Sequence, residues 1–292
     1  MSVNKTMLIT GATGFIGQAL LHHFLGQGWK IVALVRKDPA EKIPGVIYQH
    51  FDLHSPRLDS DTFKGIDVFI HAAYVKAEKG VDAFTINTKA ARQLHESALR
   101  QQVAQTVFIS SLAAKKEAVS EYGKQKFAVE EIFSGAQDVV VRPGLVLGPG
   151  GLFGKMRAHI EKRGRIPLIG GGKQPLQTVH IDDLVAAIEK IIETKAKGVF
   201  TIAEPEPVPY REFYEELCRV LNGKPQFKYI PYWFMSFVLR TAGIFGMELP
   251  VNSDNLRGLK TMQAVDSKAS LTKLGIRVKD YKESLQAIAS AR

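Results

Sequence analysis

Three glycines in one short stretch, Gly11-Ala12-Thr13-Gly14-Phe15-Ile16-Gly17, constrain this chain more than any other feature. They stand directly between an apolar strand, Met7-Leu8-Ile9-Thr10, and a helical pattern. That pattern runs through Leu20, Leu21, Phe24 and Leu25 and is ended by Gly26 and Gly28. Gly11 permits a tight turn, Gly14 lets backbone approach a pyrophosphate, and Gly17 lets helix and strand pack closely. The first helical turn has N–H groups without helical partners, which suit an anion. In this strand–turn–helix setting the spacing predicts a dinucleotide site built from Gly11, Thr13, Gly14, Phe15, Ile16 and Gly17.

Further apolar strands are expected at 31–35, 46–48, 67–70, 107–109 and 139–141, with helices around 82–101 and 119–133. Continuous apolar strands between helices predict an α/β fold, a Rossmann-type doubly wound parallel sheet covered on both faces. After Pro143, glycines at 144, 148, 150, 151 and 154, and again at 170–172, mark an irregular region. A helix over 182–194, opened by Asp182 and Asp183, and a strand over 199–202 follow. The division expected is a dinucleotide-binding domain over 1–150, to which 178–203 returns. Residues 151–177 and 204–292 are expected to form a smaller, mostly helical substrate-binding region.

The second strand ends at Arg36-Lys37. An acidic residue there would bind the ribose 2′-hydroxyl, and an arginine suits a 2′-phosphate, so the pair favours NADP, with NAD as the alternative. The competing reading is that both are solvated charges and Asp38 makes the ribose contact. Tyr122-Gly123-Lys124-Gln125-Lys126 sets Tyr122 and Lys126 four residues apart, on one helix face. A nearby ammonium favours tyrosinate and brings the phenol toward acid–base chemistry. Ser110 and Ser111 end the fifth strand, at the sheet edge where such folds hold ligands.

Taken together, GATGFIG, Asp52-Leu53, His71-Ala72-Ala73, Asn87, Arg142-Pro143-Gly144 and the run 179–184 resemble the extended short-chain dehydrogenase/reductases, the NAD(P)-dependent epimerase/dehydratase-like family. The resemblance covers residues 5 to about 203. It implies that Asp52, beside Leu53, binds adenine, and that His71, Ala72, Ala73 and Pro143 line the cofactor. It also implies that Asn87 supports the active site. Ser111 would hydrogen-bond the substrate oxygen, Tyr122 would move the proton, and Lys126 would hold the nicotinamide ribose. The activity implied is hydride transfer at an alcohol or carbonyl carbon of a nucleotide sugar or other small molecule, by an oxidoreductase or epimerase. The short interval 112–121 and the stretch 168–173 look more like atypical members. The alternative is therefore a non-catalytic NADP(H)-binding sensor or assembly protein.

The formal net charge is +10, but no long run of lysine and arginine occurs, so nucleic acid is not an expected partner. The excess fits phosphate-bearing ligands or an anionic membrane surface. A single cysteine, Cys218, sits in an apolar helical pattern. With no secretory signal evident, a reducing, cytoplasmic setting is expected. His180, ahead of Ile181-Asp182-Asp183, reads as a packing or capping residue, and no residue pattern suggests a metal. Residues 229–239 are unusually aromatic. Three roles stay open for them: a core helix, a lid over an apolar substrate, or a docking helix giving membrane-surface contact through 229–247. A homodimer is a further open expectation.

Overall fold

The computed structural model describes residues 5–78, 80–223, 226–244 and 253–290. Residues 245–247 of the aromatic segment lie outside them. The first part of the chain alternates β1 (Thr6–Thr10), α1 (Phe15–Gly26), β2 (Lys30–Val35), β3 (Val46–His50), β4 (Val68–His71), α2 (Ala83–Arg100), β5 (Gln105–Ile109), α3 (Glu121–Glu130) and β6 (Asp138–Pro143). The second part runs β7 (Leu145–Leu147), α4 (Gly151–Arg163), β8 (Arg165–Ile169), β9 (Pro175–Leu176), β10 (Thr178–His180), α5 (Ile181–Glu193) and β11 (Gly198–Ile202). It ends with β12 (Val208–Pro209), α6 (Tyr210–Val220), β13 (Gln226–Ile230), α7 (Tyr232–Ile244), α8 (Ser253–Lys260), α9 (Lys268–Leu274) and α10 (Tyr281–Ser290).

One seven-stranded sheet carries the fold, in the order β11-β6-β5-β4-β1-β2-β3, with every pair parallel. Side chains alternate between its faces. Met7, Ile9, Ile31, Ala33, Val107 and Val139 pack with Leu20 and Phe24 of α1 and Leu184 and Ile188 of α5. Leu8, Val32, Leu34, Phe108 and Val140 pack on the opposite face with Ala90 and Leu94 of α2 and Val129 of α3. Burial on both faces is why these strands read as unbroken apolar runs. Because the strands are parallel, all their C-terminal ends lie at one edge, with the β1–α1 turn in the middle of it.

The expectation of irregular chain after Pro143 is corrected. Residues 145–147 form a strand and 151–163 a helix. Gly148, Gly150 and Gly151 make room for the Phe15 ring. A Cβ on Gly148, Gly150 or Gly151 would stand 2.6, 2.8 or 2.9 Å from it. The helix over 182–194 and the strand over 199–202 form as α5 and β11, and β11 joins the main sheet. His180 caps α5, its Nδ1 accepting the Asp182 N–H at 3.3 Å.

A third core gathers Phe153 of α4, Ile166 and Leu168 of β8, Phe213, Leu217 and Cys218 of α6, and Tyr281 and Leu285 of α10. Glu204 ties this region to the sheet by accepting the Thr178 and Tyr281 N–H groups at 2.9 and 3.0 Å. The aromatic segment is not one helix. Tyr229 and Ile230 belong to β13, paired in parallel with β8, and α7 begins at Tyr232. The core-helix role is also set aside, because Trp233, Phe237 and Phe234 are 73%, 61% and 46% exposed. The start of α7 is anchored by the Tyr232 ring over Gly170 and its hydroxyl at the Gln174 amide.

Candidate active site

The glycine turn forms a cradle open to solvent. Gly11 takes φ +73°, and a Cβ there would stand 2.7 Å from the backbone of Ala72 and Ala73. Gly17 packs so closely that a Cβ would collide with the Gly11 carbonyl oxygen. Gly14 donates its N–H to that carbonyl at 2.9 Å and opens α1, which no side chain caps. Thr13 and Gly14 are exposed, and Phe15 and Ile16 are half-buried behind them. An uncapped helix N-terminus beside backbone with no Cβ fits a pyrophosphate.

The other sequence-predicted cofactor residues line the same sheet edge. Arg36 and Lys37 follow β2 and are exposed, with no ion pair among the described residues. Asp38 is engaged by Lys42 at 2.8 Å. Asp52 follows β3 and accepts the His54 N–H at 3.0 Å, while Leu53 is buried in the core. Ala72 and Ala73 donate to the carbonyl and hydroxyl of Thr10 at 3.2 and 3.3 Å, which fixes the crossing behind Gly11. The His71 ring is turned away from the cleft. It is 2% exposed, hydrogen-bonded to Thr10 at 2.7 Å and packed in a cluster with the rings of Phe108 and Phe133. Burial, with the Lys126 charge adding to it, holds its pKa down to about 3, so the ring is neutral. Pro143 is buried at the end of β6.

The two serines part company. Ser110 is buried and bonded to Glu130, whose carboxylate also receives Arg142 Nε at 2.8 Å. Ser111 lies beside Tyr122, and its hydroxyl accepts the Ala113 N–H at 3.2 Å. Burial raises the Tyr122 pKa, and the neighbouring Ser111 hydroxyl opposes that rise. Lys126, one helical turn on, is 6% exposed and donates to the Ile109 carbonyl at 2.8 Å, its ammonium over the rings of Tyr74 and Phe108. The ammonium is thus bonded to backbone at the end of β5. Asn87 clamps both backbone groups of Val75, at 2.9 and 2.8 Å, and meets Gln125 at 3.2 Å. Tyr74 donates to the same Gln125 oxygen at 3.0 Å and packs edge-on against Tyr122 at 5.3 Å.

The model of the NAD dependent epimerase/dehydratase family matches residues 7–203, most of the chain. The chain belongs to that family. Ceramide reductase of Caulobacter vibrioides is 28% identical to this family member over 242 residues, 76% of this chain and 73% of that protein. 2-Alkyl-3-oxoalkanoate reductase of Stenotrophomonas maltophilia is 28% identical over 251 residues, 74% of this chain and 76% of that one. Among solved structures, MoeE5 in complex with UDP-glucuronic acid and NAD superimposes with a TM-score of 0.74 at 19% identity, covering 98% of each chain. This epimerase/dehydratase family member is an NAD(P)-dependent enzyme of the oxidoreductase and epimerase kind.

Two residues at this candidate site escaped sequence reasoning. Asp254 of α8 accepts the Glu121 and Tyr122 N–H groups at 2.6 and 3.2 Å, capping α3 from far along the chain. Nothing local to Asp254 signals this. Gly123 lies where a Cβ would collide with the Ala113 carbonyl and stand 2.9 Å from Ala118. A glycine inside a helix costs about 1 kcal/mol relative to alanine, and that cost was a readable sign of close packing.

Burial holds the Lys126 ammonium down to about 8 from 10.5, with Glu130 opposing the fall. Between those pH values the unfolded chain binds more protons at this group than the folded chain, so its contribution to stability rises with pH there and is least favourable below about 8. Lys126→Met removes the contribution. Thermal melts should show the variant gaining most over wild type at neutral pH, with the gain shrinking as pH approaches 10.5. A gain that ignores pH would show that the ammonium is not desolvated.

Proposed function

We propose that this enzyme transfers hydride between NADP(H) and a carbonyl or alcohol carbon of an amphiphilic small molecule, with Tyr122 moving the proton. The observation that carries this reading is that Ser111 and Tyr122 neighbour each other after β5, with Lys126 bonded to the end of that strand, in the same parallel sheet whose β1 leads into the glycine cradle. When bound, the nicotinamide supplies or accepts the hydride. Ser111 and Tyr122 present two hydroxyls to the carbonyl oxygen. As hydride reaches the carbon, the oxygen gains the charge that takes the Tyr122 proton, leaving the alcohol. Oxidation runs the same steps backwards. The raised Tyr122 pKa keeps the phenol protonated at neutral pH, as a proton donor must be. Lys126, 2.8 Å from the Ile109 carbonyl, would exchange that bond for one to the ribose.

The amphiphilic substrate is supported by a cavity of about 720 Å³ between α7 and α8. Pro231, Tyr232, Trp233 and Leu256 give it apolar walls, and Arg257 and Lys260 give it charge. Arg257 is one turn from Asp254, which holds the helix carrying Tyr122. The two reductases described above are named for ceramide and for 2-alkyl-3-oxoalkanoate. A second reading, binding without turnover, draws on Lys126 being bonded to backbone instead of the phenol. Deuterated NADPH incubated with a metabolite extract separates the two. Hydride transfer puts deuterium into an acceptor with wild type and not with Tyr122→Phe. No incorporation with wild type, or equal incorporation in both, overturns the enzyme reading.

Preference for NADP is supported by Arg36, unpaired among the described residues at the end of β2, while Asp38 is engaged by Lys42. Bidentate arginine–phosphate pairing is a strong, charge-assisted contact. Fluorescence titration should show NADPH binding more tightly than NADH, and Arg36→Asp should reverse the preference. Equal affinities in both proteins would remove the assignment.

A further inference from the structure

Aromatic side chains are normally buried, and α7 exposes three. Trp233 and Phe237 lie four residues apart, on one side of the helix, and Phe234 flanks them. Arg240 follows Phe237 by three residues and extends the same stripe as an exposed cation. Arg257 and Lys260 of α8 line the same open cavity as Trp233 and Ser236, so basic groups border the aromatic patch on a second side. Helix α7 carries no acidic residue. The one on α8, Asp254, is engaged by the start of α3 and by Arg257. Among the described residues no helix is long and apolar enough to cross a membrane. At about 1.5 Å per residue, α7 is also shorter than a bilayer's hydrocarbon core of about 30 Å.

We propose that α7, together with the start of α8, docks this chain on the surface of an anionic lipid bilayer. Tryptophan and phenylalanine insert at the boundary between headgroups and acyl chains, and the cations beside them face lipid phosphate. Charge decides between this occupant and a second copy of the chain. A two-fold contact through the same patch would face the basic group of Arg240, Arg257 and Lys260 with the same basic group on the other copy, which opposes association. An anionic surface meets the same residues with the opposite sign. Docking here sets the mouth of the α7–α8 cavity at the lipid surface. The proposal does not depend on the Tyr122 chemistry, and its test needs no turnover.

The test uses vesicles of phosphatidylcholine with and without phosphatidylglycerol. The full chain should sediment with the anionic vesicles at low salt and less at high salt. The chain has two tryptophans, and Trp29 is half-buried against Phe24, so a blue shift of emission that Trp233→Phe removes reports Trp233. Trp233→Phe should keep sedimentation and lose the shift. Trp233→Ala with Phe237→Ala, checked for retained circular dichroism, should abolish sedimentation. Lys260→Ala should weaken it about fivefold, as expected for one basic group at a charged surface. The proposal is overturned by no sedimentation at low salt, or by equal binding to phosphatidylcholine alone. It is also overturned by binding that survives both aromatic substitutions, or by a dimer in solution that those substitutions dissolve.

Discussion

Tyr122→Phe should lower turnover by about 10²–10⁴-fold, the range typical of a lost general acid or base. The substitution removes one oxygen and little else. The ring keeps its edge-on packing against Tyr74 at 5.3 Å. The start of α3 stays fixed, because Asp254 caps it through backbone N–H groups and the Ser120 hydroxyl accepts the Gly123 N–H at 3.1 Å. The oxygen lost is the one beside the Ser111 hydroxyl. Melting temperature and cofactor affinity should therefore stay close to wild type, since the glycine cradle is untouched. Lys126→Ala is the contrasting variant. It empties a buried position and removes the group proposed to reach the ribose, so turnover and cofactor affinity should fall together. Should Tyr122→Phe match wild type in deuterium transfer, the Ser111–Tyr122–Lys126 set is architecture without chemistry in this chain.

How much of this was readable follows from which interactions are local. The glycine turn was legible residue by residue, because its constraints act within seven positions and each glycine answers a separate steric demand. The sheet was legible because burial on both faces leaves unbroken apolar runs. The glycines after Pro143 misled for a physical reason. Local rules read them as punctuation, whereas Gly148, Gly150 and Gly151 are small because Phe15, far back in sequence, needs the space. The spacing of Tyr122 and Lys126 correctly put both on α3, yet it could not show where the ammonium goes. Its partner is the Ile109 carbonyl on a neighbouring strand. Ser110 and Ser111 look alike in sequence, and Glu130 with Arg142 separates them. The C-terminal region was least legible. Its helices contribute single residues, such as Asp254, to elements more than a hundred positions away.

The glycine turn yields the sharpest test of where the dinucleotide sits, because its glycines should fail in different ways. Gly17→Val places a side chain against the Gly11 carbonyl, and Gly11→Val forces a branched residue to φ +73° against Ala72 and Ala73. Both should lose the fold, and so say nothing about binding. Gly14 differs. Its φ of −82° and ψ of 166° are open to any residue, and a Cβ would meet only the Gly11 carbonyl oxygen, at 3.1 Å. A few tenths of an ångström of adjustment accommodates it, so Gly14→Val should fold with a melting temperature near wild type. What it fills is the solvent side of the turn, where backbone N–H groups would meet phosphate. A hydrogen bond to a charged group contributes about 1.5–3 kcal/mol. Losing two of them weakens binding by about 10²–10⁴-fold at 1.4 kcal/mol per tenfold. Titration of NADPH against the folded Gly14→Val protein reads this directly. Wild-type affinity in that variant would place the cofactor away from the turn, and with it the assignment of Ser111, Tyr122 and Lys126 to the same ligand.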